Sequence, residues 1–252
     1  LAHASAPVLT AAGWGLVGAS SLLIGALAAL VRPWPRWAIG LVMAFGSGVL
    51  ISSLAFDLVE ESLDRGGAAP TVIGIAGGAV TYYLGDLAVA RAGVRRRRPS
   101  PRAGDGDGDD GDAGGIVVGA VLDGIPESAA IGISLLDGGR VGIVFVTAVF
   151  LSNVPEALSA SAGLRASGTP ARRILTLWGV VVAVSTLAAA AGYVLLDGAG
   201  DGAVAGLSAY AGGAVLTMLA STMLPEAHAE GGRVTGLVTT AGFLLAVLLD
   251  AA

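Results

Sequence analysis

Cysteine is absent from this 252-residue chain, which excludes disulfides and thiolate metal sites. Lysine is absent too. All 14 cations are arginine, a bias that, with the abundance of alanine, glycine and valine, reflects a GC-rich genome more than a mechanism. Charge of either sign is scarce: 13% of residues are charged against 54% hydrophobic, and the mean hydropathy is +0.79. A soluble globular domain of that make-up would have too little polar surface to cover itself. The net charge of −5 comes largely from one aspartate-rich loop and identifies no partner, and no nucleic-acid partner is expected. No nucleotide-binding motif is visible, and no organic cofactor or catalytic residue is expected.

What the chain has in quantity is apolar sequence. A helix crossing a bilayer needs about 20 apolar residues. Eight stretches qualify, at roughly 8–31, 36–63, 70–91, 115–137, 140–164, 174–197, 203–228 and 233–250. The first has no clear signal-peptide cleavage site and reads as a spanning helix. The expectation is an all-α membrane protein, a single transmembrane domain over 1–252. Arginine concentrates on cytoplasmic connections. Arg32 and Arg36 fall in the first, Arg91, Arg95, Arg96, Arg97, Arg98 and Arg102 in the third, Arg165, Arg172 and Arg173 in the fifth, and Arg233 in the seventh. Only Arg65 and Arg140 fall on the other side. A multi-pass cell-membrane protein is expected, with both termini outside the cytoplasm and the 92–114 loop inside. That loop reads as a disordered linker whose arginines meet anionic headgroups, or as a weak cation-collecting tail. It is not an EF-hand, because Asp110 stands where the sixth loop position requires glycine.

An internal repeat follows. A shift of 165 residues lays Phe45-Gly-Ser-Gly48 over Tyr210-Ala-Gly-Gly213, Glu61 over Glu226 and Gly66-Gly67 over Gly231-Gly232. At a shift of 164, Trp14-Gly15 meets Trp178-Gly179 and Ser21 meets Ser185. Helices one to three thus resemble helices six to eight, and five helices separate each pair, so the expected repeat is inverted around helices four and five. Such repeats belong to secondary transporters, whose sites sit near the midplane beside broken helices.

The two unmatched helices carry Asp123-Gly124-Ile125-Pro126-Glu127-Ser128 and Ser152-Asn153-Val154-Pro155-Glu156-Ala157. Asp123 and Glu127 share a helix face, as do Ser152 and Glu156. Pro126 and Pro155 break the helices: they cannot donate to the carbonyls of Leu122 and Leu151, so each helix is expected to kink and bare an oxygen beside the carboxylates. Acids at this depth are costly and usually functional. Together they make a recipe for cation coordination by Asp123, Glu127 and Glu156, with Asn153 and Ser152 completing the shell. Pathway candidates are Asp57 on the second helix, Ser185 on the sixth, and Glu226, His228 and Glu230 at the inner end of the seventh. Glu60, Glu61 and Asp86 read as interfacial, and His3 as idle.

The two acid-proline motifs, Leu224-Pro225-Glu226-Ala227-His228 and Gly242-Phe243-Leu244-Leu245-Ala246 together resemble the ZIP family of metal-ion transporters. The resemblance runs from the first helix to the last. It implies eight helices, a variable inner loop after the third, and movement of zinc or related divalent metals towards the cytoplasm. The family pattern on helix four is His-Asn-x-Pro-Glu-Gly, with a similar one on helix five. Glu127, Asn153 and Glu156 match it. Asp123 stands where histidine is usual, Gly124 where asparagine is usual, and Ser152 where histidine or glutamine is usual. Ser185 aligns where some members carry a further acid. These departures imply one metal site in place of two, and a harder donor set. Zinc is the substrate by resemblance, whereas carboxylate and carbonyl oxygens suit manganese, with iron(II) between. Partners are then the lipid bilayer, the metal ions and a second copy in a homodimer. Two other classes stay open: a transporter-like sensor or carrier of another solute, and an intramembrane aspartyl protease using Asp86, whose Tyr83-Leu84-Gly85-Asp86 segment lacks the first glycine of the protease motif.

Overall fold

The computed structural model describes the backbone of residues 2–91, 110–136 and 142–250, and the side chains of 7–91, 118–136 and 142–249. Among these residues every regular element is helical. α1 is Ala2–Val31. α2 runs as Arg36–Ser53, passes through a π-helical segment at Leu54–Glu60 and ends as Glu61–Gly66. α3 is Ala68–Arg91, α4 Asp110–Ser134, α5 Ile143–Ala166 and α6 Ala171–Leu196. α7 runs as Asp201–Met218, passes through a second π segment at Leu219–Met223 and ends as Leu224–Gly231. A 3-10 turn, Gly232–Val234, leads into α8, Thr235–Asp250. Residues 110–114, expected in the inner loop, form the start of α4, and the rest of that loop lies outside the described residues.

Local chemistry accounts for the boundaries. Pro35 and Pro170 stand extended before α2 and α6, at φ −68°, ψ 136° and φ −63°, ψ 142°. Proline has no N–H to lose there, and its ring blocks helix on the N-terminal side. α2 and α7 end on glycines in the left-handed region, Gly67 at φ 78° and Gly232 at φ 68°. Glycine alone takes that conformation without a Cβ clash. Their N–H groups close on Leu63 O and His228 O. The two caps are 165 residues apart, and so are Leu54 and Leu219, where the π segments begin.

Six helical stretches among the described residues are long and apolar enough to cross a membrane: Pro7–Val31, Arg36–Gly66, Ala68–Arg91, Ile143–Ala166, Ala171–Leu196 and Asp201–Leu249, the last taking in α7 and α8. Large apolar side chains face outward, among them Leu187, Leu195 and Leu237, while Ser47, Ser52, Ser161, Asp123, Glu127 and Glu156 are buried. Apolar outside and polar inside is the distribution a lipid solvent selects.

Backbone-to-backbone contacts hold the helices. α3 lies on α7 and α8 lies on α2. A Cβ on Gly78 would strike the carbonyl of Tyr210, and one on Gly242 the carbonyl of Phe45. α1 packs on α5 and α6, and α4 packs on α6, where Gly132 meets the carbonyl of Ala189. Small residues allow such approaches. Two groups result, α1–α4–α5–α6 and α2–α3–α7–α8, which meet chiefly where α2 touches α5 and α7 touches α4. Charged side chains tie helix ends. Arg165 Nη1 donates to the carbonyls of Ala29 and Leu30 at 2.9 and 2.6 Å, and Arg65 Nε pairs with Asp201 Oδ1 at 3.0 Å.

Candidate cation site

α4 and α5 run unbroken through Pro126 and Pro155, so the expected interruptions take the form of missing N–H donors inside continuous helices. Helix spacing sets Asp123 one turn before Glu127, and Ser152 one turn before Glu156. All five expected ligands are buried: Asp123 is 5% exposed, Glu127 2%, Ser152 1%, Asn153 5% and Glu156 4%. Glu127 has Glu156 and Asp123 as its electrostatic neighbours. Among the described residues, though, no three acid or histidine side chains stand close enough to hold one ion as they are placed.

Three of the five ligand candidates have a hydrogen-bond partner of their own. Tyr82 of α3 donates its hydroxyl to Asp123 Oδ1 at 2.7 Å. Ser152 donates to Val149 O at 2.9 Å, which spends its proton on its own helix and leaves oxygen lone pairs as its coordinating function. Asn153, the chain's one carboxamide, brings Nδ2 to 3.5 Å from Gly18 O of α1, at the outer limit of a hydrogen bond, so its oxygen is the atom suited to a cation. Gly46 of α2 presses on the same turn of α5: a Cβ there would stand 2.9 Å from Ser152 Cα and 3.2 Å from Leu151 O, the carbonyl that Pro155 leaves without its donor. Ser185 of α6 adjoins the site, since a Cβ on Gly124 would come 3.0 Å from Ser185 Oγ. Two of the positions that depart from the resembled pattern, Gly124 and Ser185, therefore face one another.

The pathway candidates divide. Glu226 Oε1 accepts a hydrogen bond from Ser159 Oγ of α5 at 3.0 Å, and Ser159 lies three residues beyond Glu156. Glu230 is half-buried with Glu226 and Arg36 as its electrostatic neighbours. His228, midway between them in sequence, is exposed. Asp57 sits half-buried on the π segment of α2, one turn after Ser53, a buried serine whose Oγ has no hydrogen-bond partner among the described residues. His3 lies outside the described side chains.

Sequence reasoning missed Tyr82 and Ser159. The available signal for Tyr82 was its place at the end of the small-residue stripe Thr71, Gly74, Gly78 on α3; with Tyr82 these are that helix's buried residues. The chain matches no protein-family model and no curated protein sequence.

Proposed function

We propose that this chain is a multi-pass membrane transporter of divalent metal ions, resembling the ZIP family, which carries its cation towards the cytoplasm through a site between α4 and α5. The observation that carries the reading is the burial of Asp123, Glu127 and Glu156, each 5% exposed or less, on two adjoining helices. With a mid-membrane acid at about 2.5–3.5 kcal/mol, three uncompensated carboxylates would cost on the order of 8–10 kcal/mol. A divalent cation removes most of that cost. In this reading the three carboxylates hold the ion, with Asn153 and Ser152 completing an all-oxygen shell. Such donors suit manganese or iron(II) as well as zinc.

Alternating access follows from rocking α1–α4–α5–α6 against α2–α3–α7–α8, driven by an ion gradient or the membrane potential. Several observations support an eight-helix inverted repeat. The π segments and the left-handed glycine caps of α2 and α7 recur 165 residues apart. The packing of α3 on α7 and α8 on α2, and of α1 on α5 and α6 on α4, has the pairing a two-fold relation requires. Sidedness, with both termini outside, rests on the arginine distribution, and a homodimer accords with the resemblance.

A second reading, a sensor or carrier of another solute that has lost metal transport, is favoured by the lack of three converging ligands among the described residues. Metal uptake into proteoliposomes separates the two. Zinc, manganese and iron(II) should accumulate with the wild type, and Glu127→Gln and Asp123→Ala should lose most of the uptake. No accumulation of any of them, or variants that transport like the wild type, would overturn the transporter reading.

A further inference from the structure

α3 buries a single stripe, Thr71, Gly74, Gly78 and Tyr82. Gly74 and Gly78 lie flush on α7, where a Cβ would strike the carbonyls of Gly206 and Tyr210. Beyond the stripe the neighbour changes: a Cβ on Gly85 would meet the Leu122 side chain of α4 at 3.0 Å. Tyr82 sits at that change of partner. A tyrosine 2% exposed must place its hydroxyl on a polar atom, and the atom is Oδ1 of Asp123, at 2.7 Å. The bond joins the two helix groups, since α3 belongs to one and α4 to the other. It also engages an oxygen of the acid whose place in the resembled pattern is a histidine.

We propose that Tyr82 is a positioning residue of the cation site, holding Asp123 on the α3 side while the site is empty, so that a divalent cation completes its shell only by taking that carboxylate from the phenol. The inference rests on the transporter reading and adds a regulating contact to it. Two observations fit. No three acids stand within ligating reach of one ion as the described side chains are placed. The acid held by Tyr82 is an electrostatic neighbour of Glu127, one turn away on the same helix, so its release would add a carboxylate beside Glu127. The exchange also couples occupancy to motion. Once the cation holds Asp123, the hydrogen bond between α3 and α4 is gone, and the two groups are freer to rock.

The test uses the full chain, purified in detergent and reconstituted in liposomes, with manganese as the probe. Tyr82→Phe removes the competing donor and keeps the ring. Manganese should then bind about ten-fold more tightly, equivalent to about 1.4 kcal/mol. In uptake the variant should show a lowered KM and a maximal rate no higher than the wild type, because release works against the tighter hold. Loss of a merely structural hydroxyl would weaken binding instead. The wild type supplies an independent readout: manganese should produce a tyrosine near-ultraviolet difference spectrum that Tyr82→Phe lacks. Unchanged or weaker binding by the variant, or a wild type whose tyrosine spectrum ignores manganese it does bind, would overturn the role of Tyr82 alone. A wild type that binds no manganese, zinc or iron(II) would overturn the transporter reading and this inference with it.

Discussion

Glu127→Gln keeps the shape of a side chain that is 2% exposed and removes its capacity for charge. Its electrostatic neighbours are Glu156 and Asp123, so in the empty site a charge on Glu127 would stand beside two other carboxylates among apolar helices. The cost of a mid-membrane acid, about 2.5–3.5 kcal/mol, is the ceiling on what the substitution can return. Two acids remain, so only part of that ceiling, a gain of about 1–2 kcal/mol, is expected. At about 2–4 °C per kcal/mol for a chain of this size, the cation-free variant should melt about 2–8 °C above the wild type. Cation should reverse the order. At a hundred times its Kd a cation stabilises the wild type by about 2.7 kcal/mol, and the variant should lose most of that gain. Thermal unfolding in detergent with and without manganese reads both effects. A variant that melts below the wild type without cation, or that keeps the full cation shift, would refute the reasoning.

Four further outcomes are expected. Asp123→His exchanges a hard oxygen for an imidazole, so competition uptake should move towards zinc over manganese, and an unchanged ratio would remove the ligand-hardness argument. Ser159→Ala deletes the hydroxyl that Glu226 accepts at 3.0 Å; unfolding should show a loss of about 1 kcal/mol with KM for metal unchanged, because Ser159 stands outside the proposed shell. Gly78→Ala forces α3 off the Tyr210 carbonyl and should cost about 1–3 kcal/mol. Gly77→Ala meets only the Tyr210 ring, at 3.5 Å, and should stay within about 0.5 kcal/mol in the same melting assay.

Helix existence was legible because length and apolar composition decide it. The stretch expected at 174–197 is the helix Ala171–Leu196, and the one expected at 36–63 ends at Gly66, where Gly67 turns left-handed. Burial of Asp123, Glu127 and Glu156 was equally legible, since an acid flanked by apolar turns has few places to go. The π segments were not, because nothing in Leu54–Glu60 or Leu219–Met223 differs in composition from α-helix. Prolines misled in a smaller way. Pro126 and Pro155 remove one donor each, yet neighbouring helices hold α4 and α5 continuous through them. Cross-helix bonds were least legible. Tyr82 reaches Asp123 across 41 residues and Ser159 reaches Glu226 across 67, and helices that are apolar on every side do not announce which face meets which neighbour.

In the proposed transporter a divalent cation sits between α4 and α5. Anomalous diffraction from crystals of the full chain soaked in manganese tests it most directly. A peak is expected there, ligated by Asp123, Glu127 and Glu156, with Asn153 and Ser152 oxygens beside it and the Tyr82 hydroxyl released from Asp123. A peak confined to the Glu226 and Glu230 end of α7, or none between α4 and α5 at a concentration that supports uptake, would contradict it.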